Sequence, residues 1–179
     1  MATLQIANCR LQIGTTLTVL AIVAPLRLHA EVIDRVLAVA AGQVITLSDV
    51  TAARDLGLQS AGNAADPVRA ILVRLVDREL MLAEVERYAP PEPAPEAIER
   101  ELTAIRARFP SADGFDAALR RSGYDEKHVR ETIRQDLRLR AYLDQRFTSA
   151  DERRQALIDE WLAGLRRRGN VVDLYLPSQ

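Results

Sequence analysis

The chain has 179 residues, 48% hydrophobic and 27% charged, with 4% aromatics and a net charge of −1. This is the composition of a foldable globular chain of about one domain, and the lack of a basic excess argues against a nucleic-acid partner. One Cys and two His leave little for a metal cage, a disulfide framework or a histidine-based catalytic group, so neither a metal nor a cofactor is expected.

Met1–Ala30 reads as a secretory signal. It holds no acid, a single Arg10 before the apolar run Leu11–Ala24, and a small residue at the expected cleavage position, Ala30. Polar Gln12, Thr15, Thr16 and Thr18 interrupt that run, which is short of a span of about 20 apolar residues. The alternative is an uncleaved anchor. Cleavage leaves Glu31–Gln179, 149 residues, and removing the leader's two Arg turns the net charge into −3. This exported domain has no cysteine, so its core must supply its stability. The expected location is the periplasm, without stable membrane insertion once the signal is cleaved.

Val32–Ala40 is β-branched and apolar, Ala41-Gly42 is a turn signal, and Val44–Leu47 is a second short apolar run, which together predict a β-hairpin. Ser48 or Asp49 is expected to cap a short helix to about Leu56. Asp66-Pro67 opens a helix that runs to about Tyr88, and the connector Pro90–Pro95 ends it. Ile98, Leu102, Ile105 and Phe109 form the apolar stripe of the next helix, stopped by Pro110. A short helix after Asp113 carries Phe115 and Leu119 and ends before Gly123. Asp125 caps a long helix to about Phe147, and Ser149 and Glu152 have capping-box spacing for a last helix that closes at Gly169-Asn170. Val171–Leu176 alternates in the manner of a strand.

An unpaired apolar strand is unfavourable, so this terminal strand is expected to return to the hairpin. The predicted fold is mainly α, with a small antiparallel sheet formed by the N-terminal hairpin and the C-terminal strand, in one domain spanning 31–179.

No catalytic signature stands out: the mature chain has no Gly-rich phosphate loop, no paired-His motif and no cysteine nucleophile. His128, in the first turn of its helix, reads as a solvated or capping residue. Glu79 falls between Leu72, Leu75 and Leu82 on a helical wheel, and Arg140 falls among Ile133, Leu137 and Phe147. A buried carboxylate needs a partner, so a buried Glu79–Arg140 pair is predicted, extended by Asp136. The alternative, Glu79 as a general acid in a cleft, has no second catalytic group beside it.

Asp34–Val50 resembles the opening hairpin of the SurA-type periplasmic chaperones, and Leu72–Val85 is similar to the long helix that follows it in that family. Phe115–Phe147, with Leu119, Gly123, Val129, Ile133, Leu137 and Arg140, resembles the next helical pair, and Trp161–Tyr175 the closing helix and strand. The resemblance covers nearly all of the mature chain and implies a SurA N-terminal-like core that binds unfolded outer-membrane proteins in an apolar groove. It departs where the family places parvulin-type peptidyl-prolyl isomerase domains, because here Phe147 leads almost directly to the closing helix. The expectation is therefore a non-catalytic holdase for unfolded or extended polypeptides, with Phe109, Phe115 and Tyr124 as groove candidates. The rival reading is a structural or assembly protein that binds one fixed partner, or homodimerises, through the same apolar faces.

Overall fold

The computed structural model describes residues 34–149 and 151–177, which form six helices and three short strands. The leader expected over Met1–Ala30, the hairpin residues Val32 and Ile33, and Ala150 of the expected capping box lie outside the described residues.

Strands β1 (Val36–Ala40) and β2 (Gln43–Thr46) form the hairpin. Ala41 and Gly42 turn it with φ of 50° and 82°, the paired left-handed conformations of a two-residue turn whose twist matches the flanking strands. Helix α1 (Leu47–Asp55) follows without a linker. Its cap is Thr46, not the expected Ser48 or Asp49. The Thr46 side chain accepts from the Asp49 amide, and the Asp49 carboxylate accepts in return from the Thr46 amide at 2.7 Å, a reciprocal capping box. Ser48 instead donates to Asp34.

Helix α2 (Pro67–Tyr88) starts as its sequence requires, with the Asp66 carboxylate accepting from the Arg69 amide at 2.9 Å and Pro67 in the first turn. Helix α3 (Pro95–Arg106) ends before Phe109, which a following turn carries back onto the same core. Helix α4 (Ala112–Ser122) is capped by Ser111, so it starts just before Asp113 and not after it as expected, and is closed by Gly123 at φ 70°. Helix α5 (Glu126–Arg146) is capped by Asp125, and α6 (Asp151–Arg168) leads through Gly169 to β3 (Val171–Asp173). A Cβ on Gly169 would lie 2.5 Å from Leu80 Cδ2 of α2 and 2.8 Å from the Leu165 carbonyl oxygen of α6 itself, so a side chain at this exit from α6 would have to displace both.

The sheet order is β2-β1-β3, antiparallel throughout, which joins the two ends of the domain as expected. Helix α2 is the spine. Its first half, with Ile71 and Leu72, covers the inner face of the sheet at Leu37, Ala38, Ala40 and Ile45. Its second half packs Leu82 and Val85 against Leu139 and Tyr142 of α5, with Trp161 of α6 alongside. A separate core of Leu56, Leu102, Ile105, Phe115, Leu119, Val129 and Ile133 ties α1, α3, α4 and α5 together. Among the described residues, no helix is long and apolar enough to cross a membrane.

Candidate functional site

Ala38 and Ala40 of β1 face α2, so Val39 faces the other way, and its cross-strand partners are Val44 on one side and Val172 on the other. These three valines lie across the outer face of the sheet. Val44 is 55% exposed, Val172 45%, Leu174 48% and Leu176 72%. The strand alternation seen in the sequence is therefore real, but its apolar members point outward. Inward-facing Tyr175 packs on the core and donates its hydroxyl to Asp66 at 2.7 Å. Leu174 is held in place by its amide, which donates to the Leu37 carbonyl at 2.9 Å, and Leu176 by its carbonyl, which accepts from Arg35 at 2.8 Å. The result is an apolar surface fixed on backbone bonds and uncovered by any described helix.

Under the β2 edge of this sheet lies a cleft of about 390 Å³ between the strand, α1, α2 and α5. Ile45, Ala53, Leu58 and Leu75 supply its apolar wall, and Asp49, Glu79, Glu131 and Asp136 bring four carboxylates against one cation, Arg78. Arg78 is 9% exposed. It donates to Asp136 at 2.8 Å, to Glu79 at 2.9 Å, to the Gln135 side-chain oxygen at 2.9 Å and to the Thr132 carbonyl at 3.4 Å. Tyr124 donates its hydroxyl to Asp49 at 2.7 Å. Burial pushes the Tyr124 phenol well above its usual range, and the hydrogen bond to the Asp49 carboxylate adds to it.

The predicted Glu79–Arg140 pair does not form. Arg140 faces solvent and pairs with Glu101 of α3 at 3.1 Å, while Glu79 and Asp136 share Arg78. The physical reason is which face of α5 meets α2, alongside which it runs in the same direction, Arg78 opposite Asp136 and Tyr88 opposite Tyr142. The α5 arginine buried against α2 is Arg138, which pairs with Glu86 and, at 3.3 Å, with Glu92; Arg140 lies two residues on, roughly 200° around the helix. Arg78, Arg138 and the buried Asp77, bound by Arg166 at 2.6 Å, escaped the wheel because a long side chain at the margin of an apolar stripe can turn inward once a carboxylate waits there.

The three groove candidates do not share a site. Phe115 is 3% exposed and meets Phe109 edge-to-face at 5.5 Å in the α1/α3/α4/α5 core; the two rings border a depression with Thr103, Arg106, Ser111 and Asp116. Tyr124 packs against the same core but lines the cleft under β2, not this depression. His128 sits at the cleft mouth, where Asp125 accepts from its amide at 2.8 Å and contacts its ring Nδ1 at 2.7 Å.

Glu79 gives the cleft a pH signature. Burial raises its carboxyl above the usual 4.5, Asp49 and Asp136 push the same way, and Arg78 offsets only part of this. The folded chain then holds this proton at pH values where the unfolded chain has lost it, so the stabilisation is full in acid and falls as pH rises above the usual value. In Glu79→Gln that fall disappears. Melting curves should show the variant gaining on the wild type between pH 4.5 and neutrality; a difference independent of pH would contradict this.

Among the described residues, no group of three or more His, Cys, Asp or Glu side chains is arranged to hold a metal ion. The chain matches no protein-family model, and no curated protein sequence matches it significantly.

Proposed function

We propose that this chain is an exported, non-catalytic holdase of the SurA type that binds unfolded or extended polypeptide. The observation that carries the reading is the apolar outer face of the sheet, Val39, Val44, Val172, Leu174 and Leu176, held in the open on a helical frame. A contiguous exposed apolar patch rimmed by polar groups is the kind of surface that binds other polypeptides, and main-chain groups at a sheet edge accept chains of many sequences. The apolar leader Met1–Ala30 supports export, and the likeness of the hairpin, the long helix and the closing strand to SurA-type chaperones supports the same function. The cleft does not favour chemistry: its one cation is bound by two carboxylates, and its phenol is bound to a third.

The test is light-scattering suppression with several unrelated unfolded chains, an unfolded outer-membrane protein among them, run beside a proline-isomerisation assay. The chain should suppress aggregation of most clients at near-stoichiometric ratios and leave isomerisation at the uncatalysed rate. Suppression of a single client would favour a dedicated assembly subunit, and catalysed isomerisation would overturn the non-catalytic reading.

A further inference from the structure

β2 is an edge strand, and its pairing register says which backbone groups it leaves open. Ala40 and Gln43 flank the two-residue turn and exchange both of their hydrogen bonds, so the next pair, Val39 and Val44, is a non-hydrogen-bonded one. The Val44 amide and carbonyl therefore point away from β1, along the free edge. The neighbouring Thr46 amide is already taken by Asp49 at 2.7 Å, so Val44 is the centre of the open edge. The cleft touches Gln43, Val44 and Ile45 in succession. Alternate strand side chains go to opposite faces, so a cleft that meets three in a row meets the strand along this edge.

Resting on the holdase reading, we propose that an extended polypeptide segment adds to the sheet as a fourth strand along β2, with an apolar residue opposite Val44 and basic residues on either side of it. Directly opposed residues share a face, so the residue facing Val44 extends the outer stripe of Val172, Val39 and Val44. Its two neighbours point to the other face, into the cleft, where Asp49, Glu79 and Asp136 outnumber Arg78, Glu131 being paired with Arg134 at 2.7 Å. The carboxylates are spread over β2's neighbour α1 and over α2 and α5, a spacing suited to a long flexible ammonium or guanidinium with its methylene stem against Ile45, Leu58 and Leu75. A second copy of this chain is the poorer occupant, because its own β2 edge would bring Gln43 and Ile45 to the acidic cleft and no cation.

Fluorescence anisotropy of labelled heptapeptides with the full chain tests the proposal. The peptides carry the central pattern Lys-Val-Lys, norleucine-Val-norleucine or Glu-Val-Glu in a Ser/Thr frame. The Lys peptide should bind about tenfold more tightly than the norleucine peptide, and the Glu peptide most weakly, as a partly desolvated ion pair predicts. Glu79→Gln should weaken the Lys peptide by about fivefold and narrow the preference. Val44→Pro removes the outward amide together with the valine side chain, on an edge strand that tolerates proline. It should abolish binding of the Lys peptide with the melting curve unchanged, whereas Val44→Ala, which loses the side chain alone, should keep most of that binding. If Val44→Pro fails to fold, the Glu79→Gln comparison decides. Equal binding of all three peptides would overturn the proposal and leave the holdase reading standing; no binding of any peptide, with no aggregation suppression, would sink both. A wild-type dimer that Val44→Pro turns into a monomer would also overturn it, since the edge would then belong to a second copy.

Discussion

Replacing Arg78 by Met should destabilise the domain by about 3 kcal/mol and lower its melting temperature by roughly 10 °C. The guanidinium is the shared partner of Glu79 and Asp136 and also satisfies Gln135 and the Thr132 carbonyl. Methionine keeps most of the volume, so the loss is electrostatic: two neighbouring carboxylates remain without a cation in a half-buried site. Removing one member of a buried pair costs more than the pair contributes, because the remaining charge stays desolvated. The figure sits at the low end of the usual range, since Asp136 and Glu79 keep side-chain exposures of 29% and 20%. Adding Glu79→Gln and Asp136→Asn to Arg78→Met should recover at least half of the loss, and acid pH should shrink the penalty of the single variant as the carboxylates protonate. A single variant that melts with the wild type would show that the ion cluster is not structural.

Phe115→Ala should cost about 4 kcal/mol, the usual price of emptying an aromatic position in a packed core. Phe115 packs with Leu56, Leu102, Ile105, Leu119, Val129 and Ile133, and its edge-to-face contact with Phe109 goes with it. Below its lowered melting temperature, the variant should still suppress client aggregation, because the outer sheet face lies elsewhere. Denaturant unfolding beside the scattering assay separates the two roles. Unchanged stability with lost suppression would place the binding groove at α3 and α4 after all.

The sequence carried the elements well wherever the chain marks its own boundaries. Asp66-Pro67, Asp125, Gly123 and the Pro90–Pro95 connector each act within one turn of backbone, so their helices begin and end as read. The return of the C-terminal strand to the hairpin was legible too, because an unpaired apolar strand has to find an edge. Caps with competing candidates were less legible. Thr46 wins over Ser48 and Asp49 because it stands at the extended residue just before the first helical turn.

The site was the least legible part. A helical wheel places Glu79 and Arg140 on apolar stripes but carries no information on which neighbour each face of α5 meets; the face toward α2 carries Arg138 inward, and the face toward α3 leaves Arg140 to Glu101. Period-two alternation in Val171–Leu176 shows a strand but not which of its faces a helix covers; α2 occupies the inner one, so the valines and leucines face out. The cleft joins β2, α1, α2 and α5 across nearly a hundred residues, and no local pattern announces it.

In the proposed function, the outer face of the sheet is the surface that holds polypeptide. The most direct measurement is aggregation suppression by the double variant Val172→Asp/Leu174→Asp beside the wild type, with melting curves for both. Both side chains already face water, so the substitutions should change stability by less than about 0.5 kcal/mol each. Two charges on the stripe should nonetheless reduce suppression of every client severalfold. A double variant that melts like the wild type and suppresses aggregation equally well would contradict the account.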